Sequence, residues 1–100
     1  MAEVRFEWDP AKDLQNHRKH GVPFSRAQYA FADRKRVIAQ DLSHSAAERR
    51  YYCFGLVGGA VLTVRFTFRR RVIRIFGAGY WRRGKAIYEH ANQVQRRTGR

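Results

Sequence analysis

One cysteine, two prolines and eight acidic residues among 100 positions leave this chain short of several common devices. A lone Cys53 excludes an intrachain disulfide. Its place between Tyr52 and Phe54 in an apolar strand pattern assigns it to a core, where burial suppresses the reactive thiolate. No apolar run approaches the roughly 18 residues needed to span a bilayer. The opening MAEVRFEWDP lacks the basic-then-apolar form of a secretory signal, so a cytoplasmic protein with no membrane partner is expected. There is no GxSxG, no glycine loop ending in Lys-Ser/Thr and no CxxC. Gly77, Gly79 and Gly84 lack the spacing and the strand-to-helix setting of a dinucleotide fingerprint. His17 and His20 stand three apart with no third ligand evident, so neither a metal nor another cofactor is expected.

The scarcity of acid leaves a large excess of base: 21 Lys and Arg against 8 Asp and Glu, a net charge of +13. Self-repulsion on that scale works against compactness, which points to a polyanionic partner, nucleic acid first. Arginine dominates, and its planar guanidinium forks onto phosphate oxygens or stacks on bases in ways an ammonium does not. With 44% hydrophobic and 14% aromatic residues the chain is too apolar for a disordered tail. Its length suits one domain over residues 1–100.

Hydrophobic periodicity and turn residues divide the chain into β-α-α-β-β-β-β-α. Val4 to Trp8 alternates as a short strand. Asp9 and Pro10 form an N-cap and first helical position, and the helix runs to Gly21, suited to the left-handed residue after a helix. Ser25 and Gln28 have capping-box spacing, and Phe24 with Tyr29 a hydrophobic staple, over a short helix FSRAQYAFAD. Arg36 to Gln40 reads as a strand and DLSHSAAERR as a polar connection of low definition. Tyr51 to Val57, Val61 to Phe68 and Val72 to Phe76 read as strands, with Gly58-Gly59 as a hairpin turn. Ile87, Ala91 and Val94 give a last helix. An α+β fold follows, an antiparallel sheet with helices packed on one face.

In VRFTFRRRVIRIFGAGYW, Leu62, Val64, Phe66 and Phe68 share the core side. A loop around Arg69 and Arg70 would pair Phe66 with Ile73 and set Arg65 against Arg74. Like charges opposed on a sheet destabilise it unless an anion lies between them. A solvated face accounts for Arg69, Arg70 and Arg71 at a loop tip, but poorly for Arg65 opposite Arg74. Phe76, Tyr80 and Trp81 could stack bases beside these cations or serve as packing. A second basic cluster, His17 to His20, closes the first helix, where cations interact well with the helix dipole. His17 or His20 could also transfer protons near neutrality.

Taken together, FEWDPAKDLQNHRKHGVPFSRAQYAFAD, DLSHSAAERRYYCFG and VLTVRFTFRRRVIRIFGAGYWRRGKAIYE resemble the BrnT family of type II toxin-antitoxin toxins over about nine-tenths of the chain. The most specific pieces are WDP, the KHG that follows, and the arginine-rich hairpin. The resemblance implies a RelE-like fold and a metal-independent endoribonuclease that inhibits translation and growth, acting on RNA on or off the ribosome. It also implies a BrnA-like ribbon-helix-helix antitoxin, through which alone the toxin would reach operator DNA. Carried over by position, it puts Lys19, His20 and Arg74 at the catalytic site, and the exposed face of the hairpin adds Arg65 beside Arg74 on the scissile phosphate. Arg69, Arg70, Arg71, Tyr80, Trp81 and Arg82 then hold RNA. Two departures stand out: Gly77-Ala78-Gly79 replaces a frequent Ser-Ala-Arg, and Phe66 a frequent His. They leave a second reading, a basic module that binds antitoxin or nucleic acid without cleaving.

Overall fold

The computed structural model describes residues 4–98 of the single domain expected over 1–100. It contains β1 (Arg5–Glu7), α1 (Pro10–His20) and α2 (Phe24–Ala27), which runs on as a 3-10 turn over Gln28–Ala32. Then come β2 (Val37–Gln40), a 3-10 turn (Leu42–His44), β3 (Tyr51–Val57), β4 (Ala60–Arg69), β5 (Val72–Gly79) and α3 (Arg82–Thr98). The element order and the α+β class are those expected. No described helix is long and apolar enough to cross a membrane.

The strands lie in the order β1-β5-β4-β3-β2. The α1–α2 segment carries the chain across to the far edge, and three antiparallel steps walk back from β2 to β5. β5 thereby arrives beside β1 running the same way, so the sheet is mixed and not wholly antiparallel. Nor do the helices share one face. On the first face Leu62, Val64, Phe66, Cys53, Ile75 and Ala78 pack with Val22, Phe24, Ala27 and Ala30. On the second, Phe54 and Val61 pack with Tyr88 of α3. Thr63 is accordingly buried against Gly84 of α3, Thr67 on the same side of β4 is also buried, and Phe68, expected in the core, is 57% exposed near the hairpin tip. Removing Phe24 or Leu62 completely from water contributes about 1.5–3 kcal/mol each, the main source of cohesion.

Local signals explain most boundaries. Asp9 accepts the Ala11 N–H at 2.9 Å and Gly21 ends α1 with φ 73°. Asn16, buried in α1, donates to the carbonyls of Val22 and Ala78 and accepts the Ala78 N–H, pinning the helix to β5. The capping box of α2 does not form, because the N-cap lies two residues earlier, at Pro23, and the first helical residue, Phe24, gives its N–H to Asp13 of α1 at 2.8 Å. The Gln28 side chain instead donates to the Ser25 carbonyl, and Tyr29, the expected staple partner, is exposed. Gly58 and Gly59, both with positive φ, make the two-residue turn between β3 and β4. The β4–β5 turn is also two residues, but they are Arg70 and Arg71, at φ 48° and 68°. That turn fixes Phe68 opposite Ile73 and Phe66 opposite Ile75, so the expected pairing of Phe66 with Ile73 is two residues out.

Candidate active site

The register shift changes the surroundings of the hairpin arginines. Arg65 faces Gly77, and Arg74 faces Thr67, so the expected opposition of Arg65 and Arg74 does not occur. A β-bulge at Arg65/Phe66 leaves Phe76 as the extra residue on β5. The Phe76 ring receives two guanidiniums, with Arg65 Cζ 5.0 Å and Arg50 Cζ 4.8 Å from its centroid. Each contact is attractive, but together they draw two like charges to one ring. Gly77 gives the Arg65 stem its room, since a Cβ there would lie 3.3 Å from Arg65 Cδ. The Arg65 Nε is buried and has no partner.

Arg65 opens into a cleft of about 770 Å³ on the second face of the sheet, between the β2–β3 connection and the first turns of α3. Arg83, Tyr52, Trp81, Asp41 and His44 also line it, with Leu42 and Ile87 at exposed positions. A smaller cleft beside it shares His44 and includes Arg50 and Glu48. The connection that forms this wall is far better defined than its composition suggests. The Asp41 N–H donates to the Arg50 carbonyl at 2.8 Å, and the Ser45 hydroxyl takes the Arg50 N–H at 3.0 Å, closing the loop. Asp41, only 4% exposed, accepts from the Ser43 hydroxyl at 3.0 Å and from His44 Nδ1 at 3.0 Å. Burial alone would raise the Asp41 pKa, but hydrogen bonds from Ser43 and His44, and the His44 charge, hold it below 3.8. Burial and the Asp41 charge push the Tyr52 phenol up, so it stays protonated against the opposing pull of Arg65 and Arg83.

The expected site residues divide. Arg65 and Trp81 line the cleft, and His20 lies edge-on to Trp81 with ring centroids 5.1 Å apart. Lys19 is on an exposed surface of α1, beside Arg18, and does not line the cleft. Arg74 pairs with Glu7 at 3.0 Å, and Arg69 with Glu48 at 2.8 Å. Arg70 and Arg71 are exposed in the turn. The Tyr80 hydroxyl donates to the Val57 carbonyl at 3.0 Å, and Arg82 is exposed at the start of α3, where its neighbour Arg83 lines the cleft instead. Sequence reasoning passed over Arg50, Asp41, His44, Tyr52 and Arg83. The one available signal was Asp41 and His44 at i, i+3 in an otherwise featureless polar run.

The Gly77-Ala78-Gly79 departure has a packing reason. The Trp81 indole lies where a side chain at 79 would begin, and Gly84 brings α3 directly onto Thr63 and Phe54. Among the described residues no three His, Cys, Asp or Glu side chains gather as a metal site would require. No curated protein matches the chain. A family model described as "Ribonuclease toxin, BrnT, of type II toxin-antitoxin system" matches residues 8–84, from Trp8 through Gly84 and thus most of the cleft wall. With that much of its length matched, the chain belongs to the BrnT family of ribonuclease toxins of type II toxin-antitoxin systems.

Proposed function

We propose that this chain is an endoribonuclease that needs no metal, and that the cleft on the second sheet face takes the RNA strand. The carrying observation is an unbalanced charge: Arg65 and Arg83 line the cleft and Arg50 converges with Arg65 on Phe76, while the one carboxylate of the lining, Asp41, is already held by Ser43 and His44. Arg65 lines the cleft with no carboxylate partner among the described residues, so its guanidinium is available to a phosphate oxygen. RNA carries its own nucleophile, so the protein's task is to hold the phosphodiester and to stabilise the charge that grows on its oxygens as the 2′-oxygen attacks. Arg65 and Arg83 do this from the wall of the cleft. Trp81 and Tyr52 offer ring faces to the flanking bases, and the exposed Lys19, Arg70, Arg71 and Arg82 meet outer phosphates. Neutralisation by a BrnA-like ribbon-helix-helix antitoxin, and operator binding through it, complete the reading.

A second reading, binding without cleavage, draws on the glycines at 77 and 79. One experiment separates the two. Purified protein is incubated with bacterial total RNA in excess EDTA and the new 5′ and 3′ ends are mapped. Cleavage leaving 2′,3′-cyclic phosphate or 3′-phosphate ends, and lost in Arg65→Gln, supports the first. Salt-sensitive RNA binding with no new ends supports the second, and activity that requires an added divalent ion overturns the first.

A further inference from the structure

We infer that His44, oriented by Asp41, is the general base of RNA cleavage in this cleft. This rests on the ribonuclease reading above and adds the proton acceptor that arginines cannot supply, because a guanidinium stays protonated.

The geometry is that of an oriented imidazole. His44 Nδ1 lies 3.0 Å from Asp41 Oδ2 and 3.2 Å from Oδ1. An ionised carboxylate only accepts, so Nδ1 carries the hydrogen and Nε2 keeps a lone pair. Asp41 is itself fixed by Ser43 and by the loop closure at Arg50, whereas the His44 side chain is 55% exposed and lines both clefts. A buried anion holding an accessible imidazole sets the tautomer and stabilises the imidazolium that forms on proton uptake. His20, the histidine that the family resemblance favours, lies against Trp81 and outside the lining.

In the step so defined, Nε2 of neutral His44 takes the proton of the 2′-hydroxyl and the 2′-oxygen forms its bond to phosphorus. The bond from phosphorus to the 5′-oxygen breaks, and that oxygen takes a proton from water in the open cleft. The hydroxide left behind is neutralised by the imidazolium, which restores the starting base. Arg65 and Arg83 hold the non-bridging oxygens throughout. Asp41 is a positioning residue and touches no substrate atom.

The test compares wild type, His44→Ala, His44→Gln, Asp41→Asn, His44→Ala/Asp41→Asn and Arg65→Gln. Each is assayed for cleavage of a mixed-sequence oligoribonucleotide, for binding of its 2′-O-methyl counterpart and for thermal melting. Both His44 variants should lose about 100-fold or more in cleavage rate while binding the 2′-O-methyl strand within about twofold of wild type. Added imidazole should restore His44→Ala in proportion to its concentration. Asp41→Asn should slow wild type but add nothing to His44→Ala, since its effect passes through the imidazole. Cleavage by either folded His44 variant above about a third of the wild-type rate overturns the inference. So does parallel loss of binding and cleavage, which would make His44 a contact only. If His44 variants cleave normally and Arg65→Gln does not, the ribonuclease reading stands and only the base assignment falls. If wild type cleaves nothing, or Arg65→Gln cleaves as well as wild type, the failure lies in the cleft reading itself.

Discussion

The Trp81 indole rests directly on the backbone of Gly79, in space that a β-carbon at position 79 would need. Gly79→Ala must therefore move a large ring that also lines the cleft and meets His20. Overpacking of this kind costs about 1–3 kcal/mol. The expected outcome is a lower melting temperature and an altered tryptophan emission. Gly79→Ala/Trp81→Ala should be less destabilised than the two single changes added together, and additive losses would show that the contact is not the cause.

Arg70 and Arg71 both occupy the left-handed region in the β4–β5 turn, where Asn-Gly is the favoured pair. Each non-glycine residue held there costs on the order of 1 kcal/mol. Replacing the pair by Asn-Gly should stabilise the fold by about 1–2 kcal/mol in urea titration. It should also weaken RNA binding and flatten the dependence of log affinity on log salt, by about 0.7 for each phosphate no longer neutralised. Unchanged stability would mean that the turn relaxes without strain.

Asp33 ties its own turn to β3 and α3, accepting from the Leu56 N–H at 2.8 Å, the Lys35 N–H at 2.9 Å and the Tyr88 hydroxyl at 2.6 Å. Burial opposes its charge, but these hydrogen bonds and the Lys35 charge hold its pKa below 3.8. A lowered carboxyl pKa stabilises the fold above the ordinary value and loses that effect as pH falls through the folded one. The Tyr88 phenol moves the other way, pushed up to about 12 by burial and Asp33. Its contribution is complete below the ordinary value of 10 and lost as pH rises from there towards 12. Melting temperatures across pH should therefore show Asp33→Asn flattening the acid limb below about 3.8 and Tyr88→Phe the alkaline limb. An Asp33→Asn profile parallel to wild type at low pH would contradict this.

Much of the fold was legible because local chemistry decided it. Asp9-Pro10 and Gly21 bound α1, and alternation in Leu62, Val64 and Phe66 marked the core face of β4. What escaped depended on long-range geometry. Nothing in Arg69-Arg70-Arg71 favours a tight turn at 70 and 71, so the register slipped by two and Arg74 was placed opposite Arg65 when it faces Glu7 on β1. A bulge residue such as Phe76 carries no local mark. Thr63 is buried under a helix, α3, that lies far off in sequence and leaves no local mark on β4. The cleft was the least legible part, since its wall is a polar loop whose order comes from Asp41 and Ser45 reaching the backbone at Arg50. Arginine excess gave the sign of the ligand's charge but not which arginines meet it.

The contrast between Arg65 and Arg74 supplies the sharpest test of that division. Arg74 has an exposed ion pair with Glu7, worth about 0–1 kcal/mol. Arg65 has no carboxylate partner among the described residues, a buried Nε left open, and Arg50 drawn to the same ring. Arg65→Gln removes one of two converging charges and an unsatisfied donor, together with a cation–π interaction of similar size. The free protein should change stability by only a few tenths of a kcal/mol in either direction. Cleavage should fall by about 100-fold or more, as when a charge-stabilising donor is removed. Arg74→Gln should reverse the pattern, with slightly lower stability, by up to about 1 kcal/mol, and cleavage within a few-fold of wild type. If Arg74→Gln abolished cleavage with Arg65→Gln nearly silent, the phosphate would lie along the Glu7–Arg74 edge of the sheet and not in the cleft.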